Sequence, residues 1–304
     1  MNILEVDSVS KYYGDFVALN NVTLNVGEGR VFGLLGPNGA GKTSLIRIIN
    51  QITAPDKGCL RFMGEPLGAK HVSQMGYLPE ERGLYRKMKV GEQAMYLAML
   101  KGLDKKTAQR LLKLWFEKFE IADWWDKKVE ELSKGMQQKI QFIVTIVHEP
   151  KFLIFDEPFS GFDPINANLL KEEMLHLKQC GASIIFSTHN MASVEEICDD
   201  IALINKANKI LDGDIYSVKN QYKENVYELK YKSEEPFDLS AVLPFDVEVL
   251  ATSAKRDIQS VRIKLPLNKA GNELLNSILP HAEICEFKEV LPTMEEIFIK
   301  LCGK

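Results

Sequence analysis

Runs of consecutive apolar residues predict three buried strands, over residues 31–35, 152–155 and 183–187. Strands of a parallel sheet are covered on both faces by helices, so their sequences are nearly continuously apolar and do not alternate. Ligands of such sheets bind beyond the carboxyl ends of the strands. The residues that directly follow each run are therefore the first candidates for a functional site.

Residues 84–150 have a different pattern, in which apolar residues recur at helical spacing. Residues 90–100 follow it, as do residues 108–119, where Leu112 and Trp115 fall on the same side as Phe119. This pattern predicts a helical insertion within a domain that is otherwise built on a sheet. The fold class is therefore α/β.

The chain after about Val218 changes again. Apolar and charged residues alternate over 227–231 and 261–265, which predicts two half-buried strands. A helix is expected over 268–279 and a further strand over 282–290. The segment Thr293-Met294-Glu295-Glu296 has the capping-box pattern and opens a last helix. These elements predict a small α+β domain with no catalytic residues.

Length and composition agree with two domains. At 304 residues with 45% hydrophobic content, the chain can bury two cores, and we expect them over residues 1–217 and 222–304. No apolar run approaches the ~18 residues of a membrane-spanning helix. The N-terminus lacks the basic and apolar regions of a secretory signal, so we expect a cytoplasmic protein.

Cysteine spacing and net charge bear on two kinds of ligand, zinc and nucleic acid. The five cysteines are scattered and never have C-x-x-C spacing, which favours reduced thiols and argues against a zinc site. A net charge of −4 gives no electrostatic reason to expect nucleic-acid binding.

A glycine-rich segment follows the first apolar run directly. Residues 36–43 read GPNGAGKT, which is the phosphate-loop pattern G-x-x-x-x-G-K-[ST]. The glycines allow the backbone to curl around a polyphosphate, and the helix that follows adds its positive end. Lys42 would supply a cation to the β- and γ-phosphates, and the Thr43 hydroxyl would ligate Mg²⁺. We predict that the nucleotide is bound by Gly36, Pro37, Asn38, Gly39, Ala40, Gly41, Lys42, Thr43 and Ser44.

Two carboxylates end the second apolar run. Asp156 is the expected Mg²⁺ ligand, directly or through water, and Glu157 is placed to act as general base on an attacking water. The third run ends in Thr188-His189, and the imidazole of His189 could contact the γ-phosphate and orient that water. A lone histidine is more often structural, so its position after a core strand is what makes His189 a candidate.

A serine and a glycine begin one helix of the insertion, in the segment Leu132-Ser133-Lys134-Gly135-Met136-Gln137-Gln138-Lys139. The amino end of a helix with a free serine hydroxyl is an anion site. A plain N-cap, with no role in binding, is the competing interpretation.

Taken in order, GPNGAGKT, LSKGMQQK, FLIFDE, SGFDP and STHN resemble the motifs of the ATP-binding cassette (ABC) ATPases over residues 1 to about 217. The resemblance implies a P-loop NTPase core with antiparallel N-terminal strands and a helical subdomain. It also implies ATP and Mg²⁺ as ligands. Two cassettes would pack head to tail, so that Ser133 and Gly135 of one contact the γ-phosphate bound by Lys42 of the other. Residues 160–163 would carry contacts across that seam.

The same resemblance assigns Tyr13 to stacking on adenine, with Tyr12 as the competing residue. Aligning the glycine that follows, Gly14, favours Tyr13. Stacking on an aromatic ring tolerates any base, so preference for ATP over GTP would be modest.

The chain departs from the family pattern in two places. Lys134 and Met136 replace small or polar residues of the signature. Glu80 stands where the family normally has a glutamine that contacts Mg²⁺, within GYLPEERGLY at residues 76–85. This segment resembles cassettes of two-component sodium and drug exporters, and the C-terminal domain resembles the extension of the same subfamily.

These resemblances imply the ATPase subunit of an exporter. It would act as a homodimer or paired cassette, docked on a separate membrane permease at the inner face of the cell membrane. The alternative is a soluble cassette protein of translation or DNA maintenance. Such proteins usually carry two cassettes in one chain or a long coiled-coil insertion, and this sequence has neither.

Overall fold

The computed structural model describes residues 1–81, 83–233, 242–243, 246–255 and 257–303. Arg82, part of the 76–85 segment, lies outside the described residues. The chain divides into two compact units, Met1–Ile215 and Tyr216–Lys304.

The first unit contains both sheets and helices. Its strands are β1 (Asn2–Tyr13), β2 (Phe16–Gly27), β3 (Val31–Leu35), β4 (Lys57–Phe62), β5 (Glu65–Pro66), β6 (Met75–Leu78), β7 (Phe152–Asp156), β8 (Ser183–Thr188), β9 (Asp200–Asn205) and β10 (Asn208–Asp214). Its helices are α1 (Lys42–Ile49), α2 (Val90–Leu100), α3 (Lys105–Lys118), α4 (Lys134–Ile146), α5 (Pro164–Gln179) and α6 (Met191–Ile197).

A six-stranded sheet in the order β10-β9-β3-β8-β7-β6 forms the centre of this unit. Its pairings are parallel except for that of β10 with β9. The three strands predicted from apolar runs, β3, β8 and β7, are adjacent and buried along their whole length. Their carboxyl ends lie at one edge of the sheet. This brings together the phosphate loop, Asp156-Glu157 and Thr188-His189.

An antiparallel sheet in the order β2-β1-β4-β5 accompanies the central sheet. Buried side chains of both sheets and of α1 form one cluster, in which Leu4, Leu45 and Phe152 are fully buried. The β1–β2 hairpin closes where Tyr13 pairs with Phe16.

The helical insertion between β6 and β7 contains α2, α3 and α4. Phe142 of α4 lies between Phe119 and Phe155, with ring centroids 6.0 and 5.4 Å apart. This aromatic contact packs the insertion on the central strand β7, and it gives the helical insertion a fixed position relative to the site at the strand's end.

The second unit has strands β11 (Val226–Lys232), β12 (Glu248–Lys255), β13 (Ile258–Lys264) and β14 (Glu283–Val290) in the order β12-β13-β11-β14. The helix α7 (Ile215–Gln221) precedes them, and α8 (Gly271–Ile278) and α9 (Met294–Cys302) belong to the same unit. A Cβ at Gly271 would lie 2.6 Å from the Tyr227 ring, so glycine permits α8 to pack closely on the sheet.

One helix boundary and one strand in this unit differ from the sequence expectation. The helix expected over 268–279 begins at Gly271, because Lys269 is in a turn and Glu273 Oε1 accepts from the backbone of Ala270. The strand β12 was not predicted. All eight of its residues are exposed. Because no face of this strand is buried, packing does not require apolar residues at alternate positions.

Candidate functional site

The phosphate loop between β3 and α1 is a tight turn that requires glycine. Gly36 and Gly41 have φ values of +149° and +116°. A Cβ at Gly36 would lie 2.2 Å from the carbonyl oxygen of Ile204, and one at Gly41 would lie 2.3 Å from that of Ala18. Neither neighbour is a flexible side chain, so the backbone itself excludes a larger residue.

Lys42 is nearly buried at the start of α1, with 7% of its surface exposed. Its Nζ donates to the carbonyl oxygens of Gly36, at 2.7 Å, and Pro37, at 3.1 Å. Burial lowers the pKa of the ammonium, and the charges of Glu157 and Asp156 oppose that shift. The cation is therefore held by the loop that would surround the phosphates.

Asp156 is the last residue of β7 and is 2% exposed. One of its oxygens accepts a hydrogen bond from Ser187 Oγ on the adjacent strand β8. Burial raises the pKa of this carboxyl, and the negative charges of Glu80 and Glu157 raise it further. A buried carboxylate with two acidic neighbours is stabilised when a cation binds beside it.

Glu157 follows in a backbone conformation that is rare for a residue with a side chain, with φ of +47°. Its N–H donates to the carbonyl oxygen of Ser187 at 3.0 Å, which extends the ladder between β7 and β8 by one residue. The carboxylate lies 2.8 Å from His189 Nδ1 and accepts from Thr188 Oγ1 at 3.3 Å. The predicted base and histidine are thus in direct contact.

Lys42, Asp156 and Glu157 border one pocket of about 280 Å³, and His189 is next to it through its contact with Glu157. The pocket combines phosphate-loop residues with the three predicted carboxylates, and its lining residues are Phe16, Ala18, Asn38, Gly39, Gly41, Lys42, Thr43, Ser44, Glu80, Asp156 and Glu157. Phe16 and Ala18 were not predicted. The register of the β1–β2 hairpin brings them there, and an aromatic residue just after the Gly14 turn was the available sequence signal.

Gly36, Pro37 and Ala40 belong to the phosphate loop without lining the pocket, and Tyr13, Ser133 and Gly135 lie away from it. Tyr13 is 45% exposed, and Lys11 Nζ lies 5.5 Å from the centroid of its ring. Ser133 is the N-cap of α4, and its Oγ accepts from the N–H of Met136 at 3.3 Å. A Cβ at Gly135 would lie 3.7 Å from the carbonyl oxygen of Gly161, so α4 begins beside the 160–163 segment of its own chain.

Within the described ranges, no group of three or more His, Cys, Asp or Glu side chains is arranged to hold a metal ion by itself. In the same part of the chain, no helix has both the length and the apolar character needed to cross a membrane.

Family models match most of the chain in two parts. A model described as ABC transporter matches residues 19–160. A second model, described as the C-terminal domain of DrrA1-3-like ATP-binding proteins, matches residues 213–302.

Individual proteins give the same result. The chain is 47% identical over 225 residues to the ABC transporter ATP-binding protein YhaQ of Bacillus subtilis, covering 74% of this chain and 76% of that protein. It is 26% identical over 310 residues to a Nod factor export ATP-binding protein of a Rhizobium species, covering 99% and 97%. A solved ATP-binding subunit of an ABC transporter matches with a TM-score of 0.68 and 31% identity, over 72% of this chain and 93% of that one.

The solved structure confirms the predicted α/β P-loop NTPase fold, and the relatives confirm the predicted family. Similarity to YhaQ extends over more than two thirds of both chains. The protein therefore belongs to the ABC transporter ATP-binding proteins and is an ATP-binding, ATP-hydrolysing subunit of that family.

Proposed function

We propose that the pocket at the phosphate loop hydrolyses MgATP, with Glu157 as general base. One observation carries this proposal: a phosphate loop with a buried lysine shares its pocket with two consecutive carboxylates at the end of a buried strand. Lys42 would bind the phosphates, and Glu157 would accept the proton of the attacking water. His189, in contact with Glu157, would keep that carboxylate oriented.

Mg²⁺ fits the oxygen donors of this pocket. Thr43, Asp156 and Glu80 all line it, and Mg²⁺ is usually held by one or two carboxylates together with substrate phosphates rather than by a cage of protein ligands. When bound, the ion would neutralise charge on the phosphate oxygens.

Glu80→Gln is expected to raise the Mg²⁺ concentration that gives half-maximal ATPase activity. A carboxylate whose charge reaches both Lys42 and Asp156 adds to the attraction of the site for a divalent cation. The measurement is an Mg²⁺ titration of phosphate release, with Glu81→Gln as the control because Glu81 is the adjacent exposed glutamate.

Two other outcomes of this titration have distinct meanings. Faster turnover without a change in Mg²⁺ demand would mean that Glu80 repels the phosphates rather than binding the metal. If the titrations of Glu80→Gln and wild type superimpose, Glu80 neither binds the metal nor repels the phosphates.

Two of the residues outside the pocket, Ser133 and Gly135, are proposed to act from a second chain. Ser133 is exposed at the amino end of α4. The backbone N–H groups at a helix amino end and the helix dipole favour binding of an anion. In a head-to-tail dimer, Ser133 and Gly135 would meet the γ-phosphate held by the partner's phosphate loop. Tyr13 would stack on adenine beside Phe16, its neighbour across the hairpin.

We propose export as the transport direction and a membrane permease as the partner. The support is the full-length similarity to a Nod factor export ATP-binding protein. Such a subunit would lie at the cytoplasmic face of the membrane through its permease. Residues 1–217 would supply the ATPase domain, and residues 222–304 a separate extension.

A groove in the first unit offers a surface for that permease. It measures about 510 Å³ and lies between the end of α1, the segment after β6, and helices α2 and α4. Two large apolar side chains on its border are mostly exposed, Ile52 at 61% and Leu100 at 64%. An amphipathic helix from a permease loop would cover them and gain hydrophobic energy.

Leu100→Asp is expected to release the protein from membranes that contain its permease, because a charge in the groove opposes apolar contact. Leu114→Asp is the matched control, since Leu114 is 53% exposed on α3 and does not line the groove. The measurement is the fraction of each variant that sediments with membranes, together with its unfolding temperature. Equal sedimentation of both folded variants would exclude this groove as the docking surface.

A further inference from the structure

Helix α4 makes a buried hydrogen bond to the residue that follows the proposed catalytic base. Gln138, 1% exposed on α4, donates from Nε2 to the carbonyl oxygen of Pro158 at 3.3 Å. The bond joins the helical insertion to the turn after β7. We propose that Gln138 is a positioning residue for Glu157, an inference that rests on the proposed role of Glu157 as general base.

The turn after β7 depends on contacts from outside because of its composition and conformation. Proline has no N–H, so the carbonyl is the only backbone group of Pro158 that can be held by a hydrogen bond. Glu157, just before it, has its unusual φ of +47°, a strained conformation that persists only where the surroundings enforce it. The turn therefore needs fixed points on both sides of Glu157.

The structure provides fixed points from three directions. Before the turn, the N–H of Glu157 is bonded to Ser187 on β8. After it, the ring of Phe159 packs on Phe186, with centroids 5.3 Å apart. Gln138 supplies the third, from the helix whose amino end carries Ser133. Movement of α4 would thus be transmitted through Gln138 to the backbone of Pro158, the residue next to the base.

The chemistry of Gln138 separates this role from simple packing. Its Oε1 is buried and has no hydrogen-bond partner among the residues that the structure describes. A buried acceptor without a partner costs stability. An apolar side chain of the same length would remove the unpaired Oε1 but leave the buried carbonyl of Pro158 unpaired instead, so the two side chains are expected to give similar stability. Stability alone therefore does not account for an amide at this position.

The test compares Gln138→Met with Gln93→Met in the full-length protein. Gln93 is a matched control because it is fully buried in α2 of the same insertion, and neither atom of its amide has a partner within the described ranges. We expect Gln138→Met to lower kcat about tenfold, because a misplaced base slows chemistry steeply. KM for ATP and the unfolding temperature should stay at wild-type values, and Gln93→Met should retain wild-type kcat.

A double variant identifies the base as the group through which Gln138 acts. Gln138→Met added to Glu157→Gln should cause no further loss in single-turnover hydrolysis, since the group to be positioned is already absent. Wild-type kcat in Gln138→Met, a parallel loss in Gln93→Met, or additive losses in the double variant would each overturn the proposal. Wild-type hydrolysis in Glu157→Gln alone would instead refute the proposed function, so the two failures are distinguishable.

Discussion

Glu157→Gln is expected to lower the maximal rate of ATP hydrolysis by roughly 10²–10⁴-fold while ATP binding persists. The amide has nearly the shape of the carboxylate but cannot accept the proton of the attacking water. The phosphate loop, Lys42 and Asp156 are left intact by the substitution. The variant should therefore bind ATP normally while hydrolysing it slowly. A dimer held together by uncleaved MgATP should persist.

The measurement is phosphate release under saturating MgATP, with nucleotide affinity determined in parallel and the dimer followed by size-exclusion chromatography. Glu172→Gln is the control, since Glu172 is an exposed glutamate on α5. A rate close to that of the wild type would remove Glu157 from the mechanism. Loss of ATP affinity as well would assign it to binding rather than to proton transfer.

Local patterns were sufficient to predict the central strands and the phosphate loop. The residues of β3 and β7 are continuously apolar because both faces of these strands are covered. The glycines of 36–41 follow from local conformation, because all three have positive φ values. The capping box at Thr293 was likewise predictable, because its two hydrogen bonds join residues only three positions apart.

Contacts between distant segments were not predictable in this way. Phe16 borders the pocket because of hairpin register, and Gln138 reaches Pro158 across 20 positions of sequence. Neither contact leaves a periodic trace in the chain. From the sequence alone, Gln138 is simply one polar position in an amphipathic helix.

The second unit shows the limit of alternation as a signal. β11 and β13 were predicted because one face of each packs on the core, where Leu229 and Ile263 are fully buried. β12 lies at the edge of the same sheet and is exposed throughout, so no burial pattern marks it. Pairing with β13 determines its strand conformation.

Mixing Lys42→Ala with Ser133→Ala is expected to restore ATPase activity that neither variant has alone. Lys42→Ala removes the cation of the phosphate loop, and Ser133→Ala removes the hydroxyl proposed to reach the partner's γ-phosphate. In a head-to-tail heterodimer, one site receives both changes and the other receives neither. Random pairing at equal concentrations would leave about a quarter of the sites intact.

The N-cap role of Ser133 calls for its own control. Because its Oγ accepts from the N–H of Met136, alanine also removes a cap worth about 1 kcal/mol. Ser133→Asp keeps a capping oxygen but places a negative charge where the phosphate is expected. It should therefore remain as stable as the wild type and lose activity, whereas a plain N-cap would tolerate the change.

The claim that two chains of this protein build each ATPase site is tested most directly by phosphate release from that mixture of Lys42→Ala and Ser133→Ala. The predicted result is activity that rises with the fraction of heterodimer and is about a quarter of the wild-type rate for random pairing at equal concentrations, provided that one intact site suffices for turnover. Activity that stays at the sum of the two separate variants, in a mixture shown to contain heterodimers, would contradict the claim.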